Sequence, residues 1–180
     1  MDYVIVDLEA TCWEADASIA DKEIIEIGAV RLDGGDLQVV DEFDAFVRPL
    51  RHPLLSEFCR NLTRIGQGEI DQASPLPRVF QNFLDWIGPE PFKLCSWGEY
   101  DHGQFQVELR RHGLRWPADF RGHVNLEARF ALTYNLKRSV GLREALRLLG
   151  IGFDGTQHRG IDDARNIAKI AQVLLRSAFA

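Results

Sequence analysis

Apolar residues follow two periodicities along this chain, and the changes from one to the other mark its elements. Tyr3–Asp7 is a short apolar run ending in a carboxylate, which predicts a buried strand with an acid at its C-terminal edge. Glu23–Leu32 (EIIEIGAVRL), rich in Ile and Val, predicts a second strand. Asp33-Gly34-Gly35-Asp36 is a turn signal, and Leu37–Val47 (LQVVDEFDAFV) alternates well enough to predict a third strand. The chain is thus expected to open as a three-stranded meander.

Helical spacing takes over after the loop Pro49–Pro53. Leu54–Leu62 predicts a short helix, and Pro75–Trp86 predicts one with Val79, Phe83 and Trp86 on its apolar face, closed by Gly88-Pro89. Phe92–Trp97 reads as a fourth strand, broken by Gly98, and Tyr100–His112 as a helix. A short strand is expected near Gly122–Leu126. Val140–Leu149 is an amphipathic helix stopped by Gly150, and the last helix starts at Gly160 or Ile161 with Ile167, Ile170, Ala171 and Leu174 as its stripe. With no linker, repeat or low-complexity tract, this order predicts one α/β domain over residues 1–180, built on a mixed sheet.

Composition adds little to the fold but constrains the function. The 180 residues are 46% hydrophobic and 27% charged, as in ordinary globular proteins. The formal net charge of −6 argues against passive coating of nucleic acid, which favours a basic surface. It suits an enzyme whose carboxylates hold cations, because a bound metal supplies positive charge where phosphate must sit. Cys12, Cys59 and Cys95 lack CxxC spacing and are expected to be reduced, buried thiols with no zinc site. The first residues, with no basic segment and no long apolar run, predict neither a signal peptide nor a membrane span, hence a cytoplasmic protein.

Three local signals carry chemistry. Asp7-x-Glu9 puts two carboxylates on one face of a strand, where burial requires pairing, protonation or a cation. Ser96-Trp97-Gly98-Glu99-Tyr100-Asp101 runs from a strand through a glycine break to an acid at a helix start, a position the helix dipole also favours. His158-Arg159-Gly160-Ile161-Asp162-Asp163-Ala164 joins a loop histidine to first-turn acids. Taken singly, each is more readily structural than chemical.

Together and in this order, the three signals resemble the DEDDh family of 3′-to-5′ exonucleases, with its RNase H-like fold. Asp7-Leu8-Glu9-Ala10-Thr11-Cys12-Trp13, Glu23-Ile24-Ile25-Glu26-Ile27, Val47-Arg48-Pro49, Leu55-Ser56-Glu57-Phe58-Cys59, Leu62-Thr63-Arg64-Ile65 and the closing His158–Ala168 run are similar to the histone-mRNA and small-RNA exonuclease branch and its bacterial KapD-like relatives. Many relatives have Thr-Gly-Ile where this chain has Thr63-Arg64-Ile65. The resemblance implies a central mixed sheet of about five strands, the first three antiparallel, flanked by helices. It further implies that Asp7, Glu9, Asp101 and Asp163 hold two divalent ions, Mg2+ or Mn2+, with His158 as general base. Asp162 lies one residue, or about 100°, out of that register, and Glu99 is the other competing acid. By the same match, Phe58 and Tyr100 would hold the terminal base with Leu62 and Ile65 beside it, and Ala10 and Thr11 would approach the terminal sugar. Trp13 and Trp97 are expected to pack, and Lys137 and Arg138 to form a small basic spot. The implied substrate is a single-stranded 3′ end, RNA ahead of DNA, and the implied products are 5′-mononucleotides. A DNA-trimming exonuclease and a non-catalytic binding protein of this fold are the alternatives.

Overall fold

The computed structural model of the protein describes residues 1–15 and 17–176. Its centre is a five-stranded sheet of β1 (Asp2–Ala10), β2 (Ile24–Leu32), β3 (Val39–Phe46), β4 (Phe92–Ser96) and β5 (Phe120–Asn125), in the order β3-β2-β1-β4-β5. The first three strands pair antiparallel, as the meander predicts. β4 and β5 are parallel to β1. The helices are α1 (Glu57–Thr63), α2 (Gln67–Gln72), α3 (Leu76–Ile87), α4 (Tyr100–Arg111), α5 (Leu126–Thr133), α6 (Leu142–Leu148) and α7 (Gly160–Arg176).

Strand alternation gives the sheet two apolar faces. Val4, Val6 and Leu8 of β1 face a core with Val79, Phe80 and Phe83 of α3 and Phe105 of α4. Ile5 faces the other way, with Val30 and Leu32 of β2, onto Phe130, Leu146 and the α7 stripe Ile167, Ile170, Ala171 and Leu174. Asp7 and Glu9 continue the Ile5 face, so the acidic pair points toward the helix that carries Asp163.

Several elements depart from the pattern reading for identifiable reasons. β1 does not stop at Asp7 but runs to Ala10, because backbone pairing with β2 continues through the polar Asp7 and Glu9. β3 is an edge strand and mostly exposed, and its alternation buries only part of one face, where Phe43 and Ala45 pack on the α3 core. In α3 the buried residues are Leu76, Val79, Phe80, Phe83 and Ile87. Trp86 lies at their margin and donates its indole N–H to Asp41 Oδ2 at 3.0 Å. α1 starts after Ser56, whose hydroxyl accepts from Cys59 N at 2.9 Å, and Leu54 stays in solvent. The short helices α2 and α5 have too little apolar periodicity to stand out. No helix among the described residues is long and apolar enough to cross a membrane.

The helix α7 meets the sheet backbone to backbone. A Cβ on Gly28 of β2 would lie 2.0 Å from Gly160 C and 2.1 Å from Ile161 N. A Cβ on Gly160 would press on Asp7 O and Gly28 N at 3.0 and 3.1 Å. Gly28 therefore needs glycine for lack of space, and a side chain at Gly160 would have to push main-chain atoms back by a few tenths of an ångström. Arg64 is the opposite case. It closes α1 in the left-handed region, φ 62° and ψ 14°, with its N–H donated to Arg60 O. A side chain there costs about 1 kcal/mol that glycine would not. Arg64→Gly is expected to raise stability by about 0.5–1 kcal/mol, read from urea unfolding; a lower midpoint would contradict this account of the α1 terminus.

Candidate active site

β1 outruns β4. Pairing between them ends at Ile5–Cys95, so the C-terminal half of β1 has no strand on that side. The start of α4 fills the gap, and Asp101 Oδ1 accepts the free Leu8 N–H at 2.9 Å. That bond fixes Asp101 beside Asp7 and Glu9, and the side chain is only 4% exposed. From the other side comes the first turn of α7. Asp163 Oδ2 accepts from His158 N at 2.7 Å, folding the preceding loop back onto the helix with His158 at φ 63°.

The result is a cavity of about 250 Å³ lined by Asp7, Leu8, Glu9, Trp97, Tyr100, Asp101, Leu142, Gln157, His158 and Asp163. All five residues of the acidic and histidine signals meet there, although they come from β1, α4 and α7 and the loop before it. Ligand atoms of Glu9, His158 and Asp163 lie within 4.8 Å of one another. The competing acids are turned away. Asp162 pairs with Arg165 at 3.0 Å and accepts from Thr156 N, and Glu99 faces His123 and Asn125.

The nucleotide-contact candidates divide. Tyr100 lines the cavity, 39% exposed, with Lys22 Nζ 5.5 Å from its ring centroid. Phe58 is equally exposed on α1 but is not part of the cavity wall, and Leu62 is half-buried. Ala10 and Thr11 are buried, and Thr11 Oγ1 accepts from Glu23 N at 3.0 Å, tying β1 to β2. Ile65 does not reach the cleft surface. It is fully buried with Ile25, Leu55, Cys59 and Ile70, where α1 and α2 cover the sheet. Trp97 packs on Phe130 and donates to Val140 O, yet one side of it lines the cavity. Arg138 of the basic spot is paired with Glu144. Cys59 and Cys95 are buried, whereas Cys12 is half-buried and hydrogen-bonded to Cys59.

One residue that matters was hidden in the β2 pattern. Glu26 sits opposite Glu9 on β2 and is completely buried. It accepts from Gly160 N at 3.1 Å and from the Arg159 guanidinium at 3.3 and 3.4 Å. Glu26 therefore clamps the loop that presents His158. The glutamate within EIIEI was the available signal, since an acid inside an apolar strand needs a partner.

Burial dominates the electrostatics. Desolvation, followed by repulsion from Asp101, Glu9 and Asp163, holds the Asp7 carboxyl well above its ordinary range. Desolvation and then Glu26 push Glu9 up to about 9, and desolvation pushes Asp101 up to about 7. Asp163 is raised by burial, against hydrogen bonding from His158 N. Packed acids of this kind hold protons until a cation replaces them. The donors therefore fit hard divalent ions, which take oxygen ligands. Glu9 also fixes a pH window. Its folded value of about 9 lies above its ordinary 4.5, so the metal-free fold keeps a proton that the unfolded chain releases. The associated stability is complete below pH 4.5 and lost as pH rises through 9. In EDTA, the melting temperature should fall between about pH 5 and about pH 9, and added Mg2+ should reduce the fall. A melting temperature that rises with pH in EDTA would contradict this picture.

Comparison with known proteins agrees with this geometry. The exonuclease (RNase T) family model matches residues 4–171. Human ERI1 exoribonuclease 2 is 37% identical over 198 residues, which cover 97% of this chain and 28% of that protein. Mouse 3′-5′ exoribonuclease 1 is 35% identical over 184 residues, which cover 97% of this chain and 53% of that protein. The chain thus spans roughly a quarter to a half of the length of these curated relatives. The crystallographic structure of the nuclease domain of 3′hExo, a DEDDh family member bound to rAMP, superposes with a TM-score of 0.88 at 32% identity, covering 98% of this chain and 92% of that one. With the acids and histidine of that type gathered in one cavity, and the match running through both the sheet and α7, this chain belongs to the DEDDh exonucleases of the RNase T family.

Proposed function

We propose that this chain is a metal-dependent 3′-to-5′ exonuclease acting on single-stranded RNA ends and releasing 5′-mononucleotides. The observation that carries the reading is the meeting of Asp7, Glu9, Asp101, Asp163 and His158 around one open cavity. The four acids would hold two divalent ions, Mg2+ or Mn2+. When bound, the ions supply positive charge that offsets what develops on the attacking and leaving oxygens of phosphodiester cleavage.

The chain's own groups do the rest. His158 takes the proton of the attacking water, a role that suits an imidazole at neutral pH. Its loop is held on both sides, by Asp163 through the His158 N–H and by Glu26 through Arg159 and Gly160. That steadies the loop that carries His158 into the cavity wall, and preorganisation of this kind is worth rate because little reorganisation remains in the transition state. Tyr100 offers a ring for the terminal base to stack on. Phe58 and Leu62 on α1 would extend that surface, and Ala10 and Thr11 would meet the terminal sugar through their backbone. RNA is placed ahead of DNA because the human and mouse relatives above are named exoribonucleases. The structure of one 3′-exonuclease that matches at 31% identity describes 3′-end recognition of a histone mRNA stem-loop.

The test is a degradation ladder on matched RNA and DNA oligonucleotides carrying a block at the 3′ or the 5′ end, with Mg2+ or Mn2+. Successive shortening of RNA that a 3′ block prevents and a 5′ block leaves unaffected is the expected result. Protection by the 5′ block alone would overturn the polarity, and equal or faster loss of DNA would overturn the RNA preference.

A further inference from the structure

Beyond the catalytic cavity, a second group of ligating side chains lies at the outer side of the start of α4. Ligand atoms of Glu99, His102 and His123 all lie within 4.8 Å of one another. Glu99 and His102 are one helical turn apart, and His123 reaches them from the neighbouring strand β5. None of the three lines the cavity that holds the five catalytic candidates.

Hydrogen-bond accounting fixes the orientation of His123, while His102 Nε2 lies 3.2 Å from Gln106 Nε2. Ser96 Oγ lies 2.8 Å from His123 Nε2 and donates its proton to Gly98 O at 3.0 Å. The hydroxyl has one proton to give, so His123 Nε2–H must be the donor in the first contact. That assigns the other ring nitrogen, Nδ1, to the open side of the cluster. His123 is nearly inaccessible, its side chain 6% exposed, so this orientation is fixed. Nδ1 faces Glu99 Oε2 at 3.5 Å, wider than a good hydrogen bond. Glu99 in turn is steered by Asn125 Nδ2, which donates to its other oxygen at 2.9 Å. A histidine whose far nitrogen donates to a fixed oxygen, with its near nitrogen beside a second ligand, has the support usually found around metal-bound imidazoles.

We propose that Glu99, His102 and His123 form a binding site for a zinc-class divalent cation, separate from the catalytic ions. Two imidazoles and one carboxylate are donors for zinc and its neighbours rather than for Mg2+, which prefers oxygen throughout. Three protein ligands leave a fourth position for solvent. The cluster has to tighten to reach contacts of about 2.0–2.2 Å. His102 now stacks on His123, with centroids 4.5 Å apart and an interplanar angle of 14°, and must turn out of that stack because an imidazole ligates in its own plane. His102 is half-buried and the Glu99 side chain is 70% exposed, so both can move onto the fixed His123.

The test measures zinc binding, not turnover. The full chain is titrated with Zn2+ against a chromogenic chelator in excess Mg2+, alongside His102→Ala, Glu99→Gln and the double variant Asp7→Asn/Asp163→Asn. One competing zinc site is expected in the wild type and in the double variant. His102→Ala and Glu99→Gln, both surface changes, are expected to weaken it about 100-fold with an unchanged circular dichroism spectrum. Zinc binding that survives both surface substitutions, or that disappears in the double variant alone, would overturn the proposal.

Discussion

Everything at the cavity depends on how closely α7 can approach the sheet. The two backbones touch at Gly28 and Gly160, where a Cβ would sit about two ångströms from main-chain atoms at Gly28 and 3.0 Å from Asp7 O at Gly160. Only because neither residue has one does the first turn of α7 come down onto β1 and β2. That approach brings Asp163 and His158 to Asp7 and Glu9. Glu26 then secures the contact, spending its buried charge on Gly160 N and Arg159. A packing constraint in the middle of the sheet thus sets the geometry of the chemistry at its edge.

The same approach creates an electrostatic cost. Asp7, Glu9, Asp101 and Asp163 are withdrawn from water and pressed against one another, and burial raises all four. An apolar set would pack here without that cost, and on the proposed function the acids' use as cation ligands would be what the cost supports. Divalent ions bound there would offset the repulsion and link folding to metal affinity. The unequal lengths of β1 and β4 belong to the same arrangement. They leave the Leu8 N–H for Asp101, so a carboxylate completes the hydrogen bonding of the strand end and enters the cluster in the same step.

How much of this was legible in the sequence varied with how local the signal was. The stripe of α7 and the apolar run of β2 announced their elements because burial there is continuous. The end of β1 did not, since two polar residues interrupt the apolar run while backbone pairing continues beneath them. The family register favours Asp163 over Asp162; Asp163 lines the cavity and Asp162 pairs with Arg165. Ile65 could not be placed, because a residue following α1 looks the same in sequence whether it faces the cleft or the core. Glu26 read as a strand residue, its role set by a loop distant in sequence. His123 carried no signal at all until β5 brought it beside Glu99 and His102.

The central claim is that the five gathered residues perform hydrolysis. Its most direct test is the single-turnover rate on one 5′-labelled single-stranded RNA with saturating Mg2+, for wild type, Asp7→Asn and His158→Ala. The account predicts that His158→Ala slows cleavage by about 10²–10⁴-fold and that Asp7→Asn slows it at least as much, both variants remaining folded. Rates equal to wild type in either variant would contradict it.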